Sequence, residues 1–219
     1  MVANELTMQV LCMAAIMEIE DPDVYDHSLR VAGYSASMAR QLKLPPLKVT
    51  AIEQAALLHD LGKITIARSV LNKPNFLTED EYDSVKEHSI VGEQVVKKIP
   101  ELAHLSPLIR SHHEWYNGCG YPDGIARGNI PLGGRIIAVA DAFDAMTSHR
   151  PYRRACSCLA SIGELKACSG IQFDPLVVRS FLTIIKEKHP PWLRLGIRTR
   201  TIFRLLGSPI PPISFVYPY

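Results

Sequence analysis

The chain contains 219 residues, of which 47% are hydrophobic, a composition typical of a soluble globular protein with one large domain or two small ones. Its 24 lysines and arginines nearly balance 22 aspartates and glutamates, and the formal charge of +2 excludes the strongly basic surface of a protein that wraps nucleic acid. The five cysteines lack the spacing of a zinc ribbon or a disulfide framework, and the apolar run 10–17 is too short to cross a bilayer. We therefore expect a cytoplasmic protein with reduced thiols and no membrane insertion.

Apolar residues recur at helical spacing along most of the chain. Asp21-Pro22 ends the first predicted helix, because the residue before a proline disfavours the helical conformation, and Gly62 is the stop signal of the third. Thr78 and Glu81 have the form of a capping box, and Ser106-Pro107 is a second start signal. The predicted helices span residues 4–20, 26–42, 48–60, 78–98, 106–113, 132–148, 157–167 and 175–186.

Two stretches in the second half of the chain carry functional signals. The segment 116–130 is rich in Gly, Asn, Asp and Pro and is too long to be a simple connection, which is typical of a functional loop. The helix over 132–148 is apolar on almost all sides and is predicted to be deeply buried, so the carboxylate of Asp141 inside it needs a cation, either a metal ion or Lys63. No convincing strand pattern occurs before residue 200, and the predicted fold class is all-α.

Seven residues that commonly bind metals recur at intervals of about one helix plus its connection. They are His27, His59, Asp60, His88, His112, His113 and Asp141. Successive helices of a compact bundle can each project one or two of these side chains into a shared centre. Five imidazoles and two carboxylates without a thiolate suit iron, manganese, zinc or nickel, and seven ligands suit two ions bridged by one carboxylate, for which Asp60 is the best candidate. A single histidine on a helix, taken alone, is more often a hydrogen-bonded structural residue than a metal ligand.

Three stretches closely resemble the motifs of the HD-GYP family, a bacterial subgroup of the HD-domain phosphohydrolases. They are residues 59–63 (HDLGK), 112–122 (HHEWYNGCGYP) and 141–147 (DAFDAMT), and the resemblance extends over about residues 15–185. It implies a compact helical bundle of the HD-domain type with a central site for two or three metal ions, often iron or manganese. All seven candidate ligands match the family's ligand positions. Asp23 lies where three-metal members have a glutamate, and it is either a ligand of a third ion or an unliganded surface carboxylate.

The resemblance also implies a set of substrate contacts. Lys63, Arg150 and Arg153 match positions near the substrate phosphates, and the guanidinium groups suit phosphate oxygens. Either arginine could instead hold the carboxylate of Asp144. The turn beside the metals contains Gly118, Gly120, Tyr121 and Pro122, in which the tyrosine either stacks on a guanine or packs the loop onto the core. Asn117 departs from the family, which usually has an aspartate at this position.

The sequence therefore predicts a metal-dependent phosphodiesterase that opens cyclic di-GMP to pGpG, with GMP as a further product to be tested. The predicted catalytic residues are Asp60, which holds the two ions around an attacking hydroxide, and Lys63, which stabilises the anionic transition state. The substrate is a cyclic dinucleotide and not a nucleic acid polymer. The alternatives are an inactive module that binds cyclic di-GMP or docks a signalling protein such as a diguanylate cyclase, and an HD phosphohydrolase acting on another nucleotide.

Three segments are expected from these patterns. An N-terminal helix occupies residues 1–20, the HD-GYP catalytic domain occupies 21–187, and a basic, proline-rich appendage occupies 188–219. The appendage has five cations and no acidic side chain. It is expected to pack on the helical core, with a basic interaction tail as the alternative.

Overall fold

The computed structural model describes residues 2–73, 75–148 and 155–186, with side chains from residue 8 onward. Ten α-helices lie in this part of the chain, and no strand does, which confirms the all-α class. The helices are α1 (Val2–Glu20), α2 (Pro22–Gln41), α3 (Pro46–Leu57), α4 (Arg68–Leu71), α5 (Glu79–Lys86), α6 (His88–Lys97), α7 (Ser106–Arg110), α8 (Leu132–Thr147), α9 (Cys158–Ala167) and α10 (Pro175–Lys186). Short 3-10 turns occupy Leu61–Thr65, Ala103–Leu105 and Arg127–Asn129. None of the described helices is long and apolar enough to cross a membrane.

Helix α2 begins four residues before its predicted start at residue 26. The side chain of Asp21 caps it by accepting hydrogen bonds from the backbone N–H groups of Asp23 and Val24, both at 3.1 Å, and Pro22 fills the first helical turn, where its missing N–H is not needed. The Asp-Pro pair that ends α1 therefore also starts α2. This early start places His27 inside the helix and not at its beginning.

The helix predicted over 78–98 is divided into α5 and α6 at Glu87. Its capping box is confirmed, because the Thr78 hydroxyl accepts from Glu81 N at 3.3 Å and the Glu81 carboxylate accepts from Thr78 N at 2.7 Å. The division makes His88 the first residue of α6. Its imidazole folds back onto the end of α5, where Nδ1 lies 2.6 Å from the carbonyl oxygen of Val85.

The core is built around α2, which packs against α1, α3, α8 and α10. Eleven of the sixteen residues of α8 are buried, which confirms the predicted burial of this helix. Three rings join the central helices: Tyr34 of α2 lies 5.4 Å from Phe143 of α8 and 5.7 Å from Phe181 of α10, between ring centroids. Because aromatic contacts of this kind fix side chains in single rotamers, α2 and α8 are held in a defined register.

Replacing Lys43 with glycine is expected to raise the free energy of unfolding by about 1 kcal/mol. Lys43 follows the end of α2 with a φ of 56°, a left-handed conformation that costs a side-chain-bearing residue energy and costs glycine almost none. Urea denaturation of the two proteins measures the difference. Lys48→Gly, inside the first turn of α3, is the matched control and is expected to be destabilising. A Lys43→Gly protein less stable than the parent would contradict this account.

Candidate metal centre

The seven predicted ligands converge from five segments of the chain. His27 lies on α2, His88 begins α6 and Asp141 lies on α8. The two adjacent pairs do not lie on helices as predicted, because α3 ends at Leu57 and α7 ends at Arg110. His59-Asp60 and His112-His113 therefore occupy the turns that follow these helices, where two consecutive side chains can point toward the same centre.

Gly62 is not the stop signal of α3, as the sequence suggested, but a contact point between two backbones. It lies inside the 3-10 turn Leu61–Thr65, and a β-carbon there would lie 2.0 Å from the carbonyl oxygen of His88 and 2.8 Å from the amide nitrogen of Gly92. Only a residue without a side chain permits this approach. The contact brings the turn that carries Asp60 directly against the start of α6, which carries His88.

The ligand atoms form two groups of three joined by Asp60. His88, His112 and His113 make one group, and His27, His59 and Asp141 make the other, with the ligand atoms of each group within 4.8 Å of one another. The carboxylate of Asp60 presents one oxygen to each group: Oδ1 lies 3.6 Å from His88 Nε2, and Oδ2 lies 3.5 Å from His59 Nε2. This arrangement fits two adjacent cations that share one carboxylate.

Three of the histidines are oriented by the same backbone interaction. In His59, His88 and His112, Nδ1 lies within hydrogen-bonding distance of the carbonyl oxygen three residues earlier. These oxygens belong to Ala56, Val85 and Ile109, at 2.7, 2.6 and 2.5 Å. Because a carbonyl only accepts, Nδ1 carries the proton, and Nε2 directs a lone pair into the centre. His59 Nε2 is buried and has no hydrogen-bond partner among the described residues, as expected for an atom that binds a cation.

The electrostatics of the site also suit divalent ions. Burial lowers the pKa of His88 to about 4 and that of His112 to about 3, so both imidazoles are neutral at pH 7, the form that binds metals. Burial would raise the pKa of Asp60, but the neighbouring His59 and Lys63 hold it well below its usual range. The carboxylate of Asp60 is therefore ionised beside the neutral imidazoles of His88 and His112.

His27 is oriented by a carboxylate that is itself held by Arg30. His27 Nδ1 lies 2.7 Å from Asp144 Oδ2, and Arg30 donates to both oxygens of Asp144, from Nε at 2.6 Å and from Nη2 at 3.0 Å. Burial alone would lower the pKa of His27, but Asp141 and Asp144 raise it to about 9. Arg30 was not among the predicted site residues. A usable signal was present: His27 and Arg30 on one helix have the same three-residue spacing as Asp141 and Asp144 on another, so each pair lies on one helix face.

Replacing Asp144 with asparagine is expected to weaken metal binding by about tenfold or more, because residues that orient a ligating histidine contribute this much to affinity. The amide keeps the size of the side chain but loses the charge that His27 and Arg30 share. Competition with a chelator of known affinity measures the effect. Asp80→Asn, on the exposed side of α5, is the control. Equal metal affinity in Asp144→Asn and the parent would show that Asp144 does not orient His27.

Lys63 pairs with Asp60 and not with Asp141. Its Nζ lies 2.8 Å from Asp60 Oδ2, and the side chain is 18% exposed. The proposed Lys63–Asp141 pair is therefore wrong, and Asp141 faces His27 Nε2 at 3.1 Å. Asp141 is also less buried than its helix suggested, with 19% of its side chain exposed. Lys63 and Asp141 thus lie where the centre opens to solvent.

The loop 116–130 packs on the centre through Tyr121. The Tyr121 ring stacks on the imidazole of His113, with centroids 4.8 Å apart and planes 28° from parallel. This contact favours the alternative in which the tyrosine packs the loop onto the core. Gly120 permits the approach, because a β-carbon there would lie 2.2 Å from the amide nitrogen of Trp115. Asn117 accepts a hydrogen bond from Cys119 N at 3.0 Å, a turn contact that an aspartate would also make.

The remaining predicted positions lie away from the two groups of ligands or outside the described residues. Asp23 is exposed and, in the described part of the chain, belongs to none of the groups of metal-binding side chains. Pro122 is half-buried and joins Tyr121 through a cis peptide bond. Arg150, Arg153 and the appendage 188–219 lie outside the described residues.

Comparison with known proteins agrees with this architecture. The chain matches the HD domain family over residues 11–177. It is 37% identical over 174 residues to a cyclic di-GMP phosphodiesterase of Thermotoga maritima, a match that covers 78% of this chain and 47% of the relative. It is 41% identical over 174 residues to the cyclic di-GMP phosphodiesterase response regulator RpfG of Xanthomonas campestris, covering 78% and 46%. The chain thus spans about half the length of these two curated relatives.

A third relative and a solved structure extend the comparison. The 3'3'-cGAMP-specific phosphodiesterase 3 of Vibrio cholerae is 38% identical over 146 residues, covering 67% of this chain and 32% of the relative. The structure of an HDG"Y"P protein from Bdellovibrio bacteriovorus superposes with a TM-score of 0.63 at 21% identity, covering 80% of this chain and 56% of that one. At that identity the likeness shows the fold alone. The helical bundle, the HD motif and the family match together place the chain in the HD domain family, in its HD-GYP subgroup.

Proposed function

We propose that this chain is a metal-dependent phosphodiesterase that opens cyclic di-GMP to the linear dinucleotide pGpG. The observation that carries the proposal is the position of Asp60, which presents one carboxylate oxygen to each of two three-residue groups of ligands. Such a pair of adjacent cation sites suits hydrolysis of a phosphodiester, in which negative charge develops on the phosphoryl oxygens. Two relatives named as cyclic di-GMP phosphodiesterases support the choice of substrate.

The seven side chains would hold two divalent ions, for which iron and manganese are the proposed identities. Imidazole and carboxylate ligands without a thiolate suit both metals, and no cysteine belongs to the groups found in the described part of the chain. When bound, such ions lower the pKa of a water molecule and neutralise charge on a phosphoryl oxygen. Second contacts of the histidines with backbone carbonyls and with Asp144 keep the ligand nitrogens pointing inward.

Lys63 is the proposed cationic contact of the substrate phosphate. The Lys63 ammonium group donates one hydrogen bond to Asp60. Because it is partly exposed, its two other N–H groups can donate to phosphate oxygens at the opening of the centre. In the reaction one water molecule is consumed and the bond between phosphorus and the 3′-oxygen breaks. The phosphate remains on the 5′-oxygen, and the 3′-oxygen leaves as a hydroxyl group, which gives pGpG.

Metal analysis and product analysis together test the proposal. The protein is purified without oxygen, its iron and manganese are measured, and the products from cyclic di-GMP are separated by chromatography in ferrous and in manganous buffer. We expect conversion to pGpG that stops when a chelator removes the metals. Full metal occupancy with no turnover of any cyclic dinucleotide would overturn the proposal and leave a binding module.

A second candidate substrate is 3'3'-cGAMP, because the Vibrio relative specific for it is 38% identical to this chain. Both substrates have two phosphodiesters and differ in one base, so the same ligands serve both. Competition between the two in one reaction measures the ratio of their kcat/KM values. A ratio above one for cyclic di-GMP is expected, and a ratio below one would assign the chain to 3'3'-cGAMP.

A further inference from the structure

An ion pair outside the metal centre joins α7 to the loop 116–130. Arg110, the last residue of α7, donates from Nε to Asp123 Oδ2 and from Nη2 to Asp123 Oδ1, both at 2.7 Å. Its third donor, Nη1, binds Glu93 of α6 at 3.2 Å. Two parallel bonds fix the plane of a carboxylate as well as its distance. Asp123 is therefore held in one orientation relative to α6 and α7.

Asp123 is also held through its backbone. Its N–H donates to the carboxylate of Glu114 at 2.6 Å, and Glu114 is buried directly after the ligand His113. On the other side of the turn, Gly120 packs against the backbone of residues 113–115. Tyr121 thus lies between two points of the loop that are each fixed to the ligand-bearing segment.

This ion pair orients the loop 116–130 more than it stabilises the folded chain. The side chains of Arg110 and Asp123 are 31% and 38% exposed, and ion pairs at such exposure usually contribute little to the free energy of unfolding. The hydrogen bonds from Arg110 lower the pKa of Asp123, so the carboxylate is charged at neutral pH. The pair nevertheless fixes the residue two positions after Tyr121, whose ring covers His113.

We infer that Arg110 is a positioning residue: through Asp123 it holds Tyr121 against His113 and sets the shape of the loop beside the metal centre. The effect of Arg110 on catalysis rests on the proposed function, whereas its effect on the conformation of the loop does not. A lysine at this position would keep the charge but could bind only one carboxylate oxygen at a time, so the fixed plane would be lost.

The test compares Arg110→Lys, Asp123→Asn and the double variant in the full chain. Trypsin cleavage after Arg127, which is exposed in the same loop, is followed by peptide mapping, since cleavage rate follows the population of the opened loop. Each single variant is expected to be cleaved up to about fivefold faster than the parent, the scale of an exposed ion pair, and the double variant no faster than the faster single one. Metal content stays at the parent value, and kcat/KM for the cyclic dinucleotide falls about tenfold, chiefly through KM.

Asp83→Asn is the matched control, because it removes the carboxylate of another exposed ion pair, with Lys86 on α5, without touching the loop. It is expected to behave as the parent. Parental cleavage rates at Arg127 in both Arg110→Lys and Asp123→Asn would overturn the inference, and so would loss of metal from them, since the pair would then support the ligands. A parent chain that hydrolyses no cyclic dinucleotide would overturn the proposed function, while the cleavage rates would still decide the role of Arg110.

Discussion

Replacing Asp60 with alanine is expected to remove both metal ions, and with them the charges that would stabilise the transition state, so turnover is expected to fall by about 10³-fold, the upper end of the scale for losing one such group. Asp60 is the one ligand in the described part of the chain whose two oxygens face both groups of ligand atoms. Its loss also leaves Lys63 beside the cluster without the carboxylate it binds at 2.8 Å. The site would then hold an uncompensated positive charge where cations must bind.

Elemental analysis of the purified variant measures this effect, with circular dichroism to show that the helices remain. Asp60→Asn keeps the shape of the side chain and is expected to lose most of the metal too. Such a loss would show that the charge of Asp60, and not its packing, holds the ions. Tyr121→Ala is the control: it removes the ring that covers His113 but no ligand atom, and it is expected to keep both ions. An Asp60→Ala protein that retained a full metal pair would refute the bridging role of Asp60.

The convergence of the ligands could be predicted because it follows from the types and spacing of the side chains. His27, His88 and Asp141 are separated by whole helices, and a compact bundle brings such residues together. The exact placement of His59-Asp60 could not be predicted in the same way. An apolar helical run does not specify the residue at which the helical hydrogen bonds stop, and Leu58 already lies outside α3.

Tertiary contacts that orient the site were its least predictable part. Arg30 and Asp144 are 114 residues apart, and the shared three-residue spacing marks Arg30 as a candidate partner without excluding Arg150 or Arg153. The stack of Tyr121 on His113 and the Arg110–Asp123 pair have the same origin. Each depends on how a loop folds back on a helix end, a property of tertiary packing that local patterns only restrict.

Replacing Gly62 with alanine is expected to lower the free energy of unfolding by about 2–3 kcal/mol, the upper part of the range for overpacking in a tight core. The added β-carbon would lie 2.0 Å from the carbonyl oxygen of His88, and because this neighbour is backbone, the clash is relieved only when α6 and the turn that carries Gly62 move apart. That movement carries His88 away from Asp60 Oδ1, now 3.6 Å distant. The variant is therefore expected to lose affinity for the metal bound by His88, His112 and His113 before it loses the other.

The two effects are measured separately. Urea denaturation in chelator gives the stability of the metal-free protein, so that weaker metal binding does not contribute to the difference. Stepwise metal titration of the folded protein then shows which affinity falls. Gly163→Ala is the matched control, because a β-carbon at this position of α9 meets no atom within 4 Å and alanine favours a helix, so this variant is expected to gain up to about 1 kcal/mol. Parental stability and parental affinity at both metal sites in Gly62→Ala would show that this backbone contact does not hold the turn with His59-Asp60 against α6.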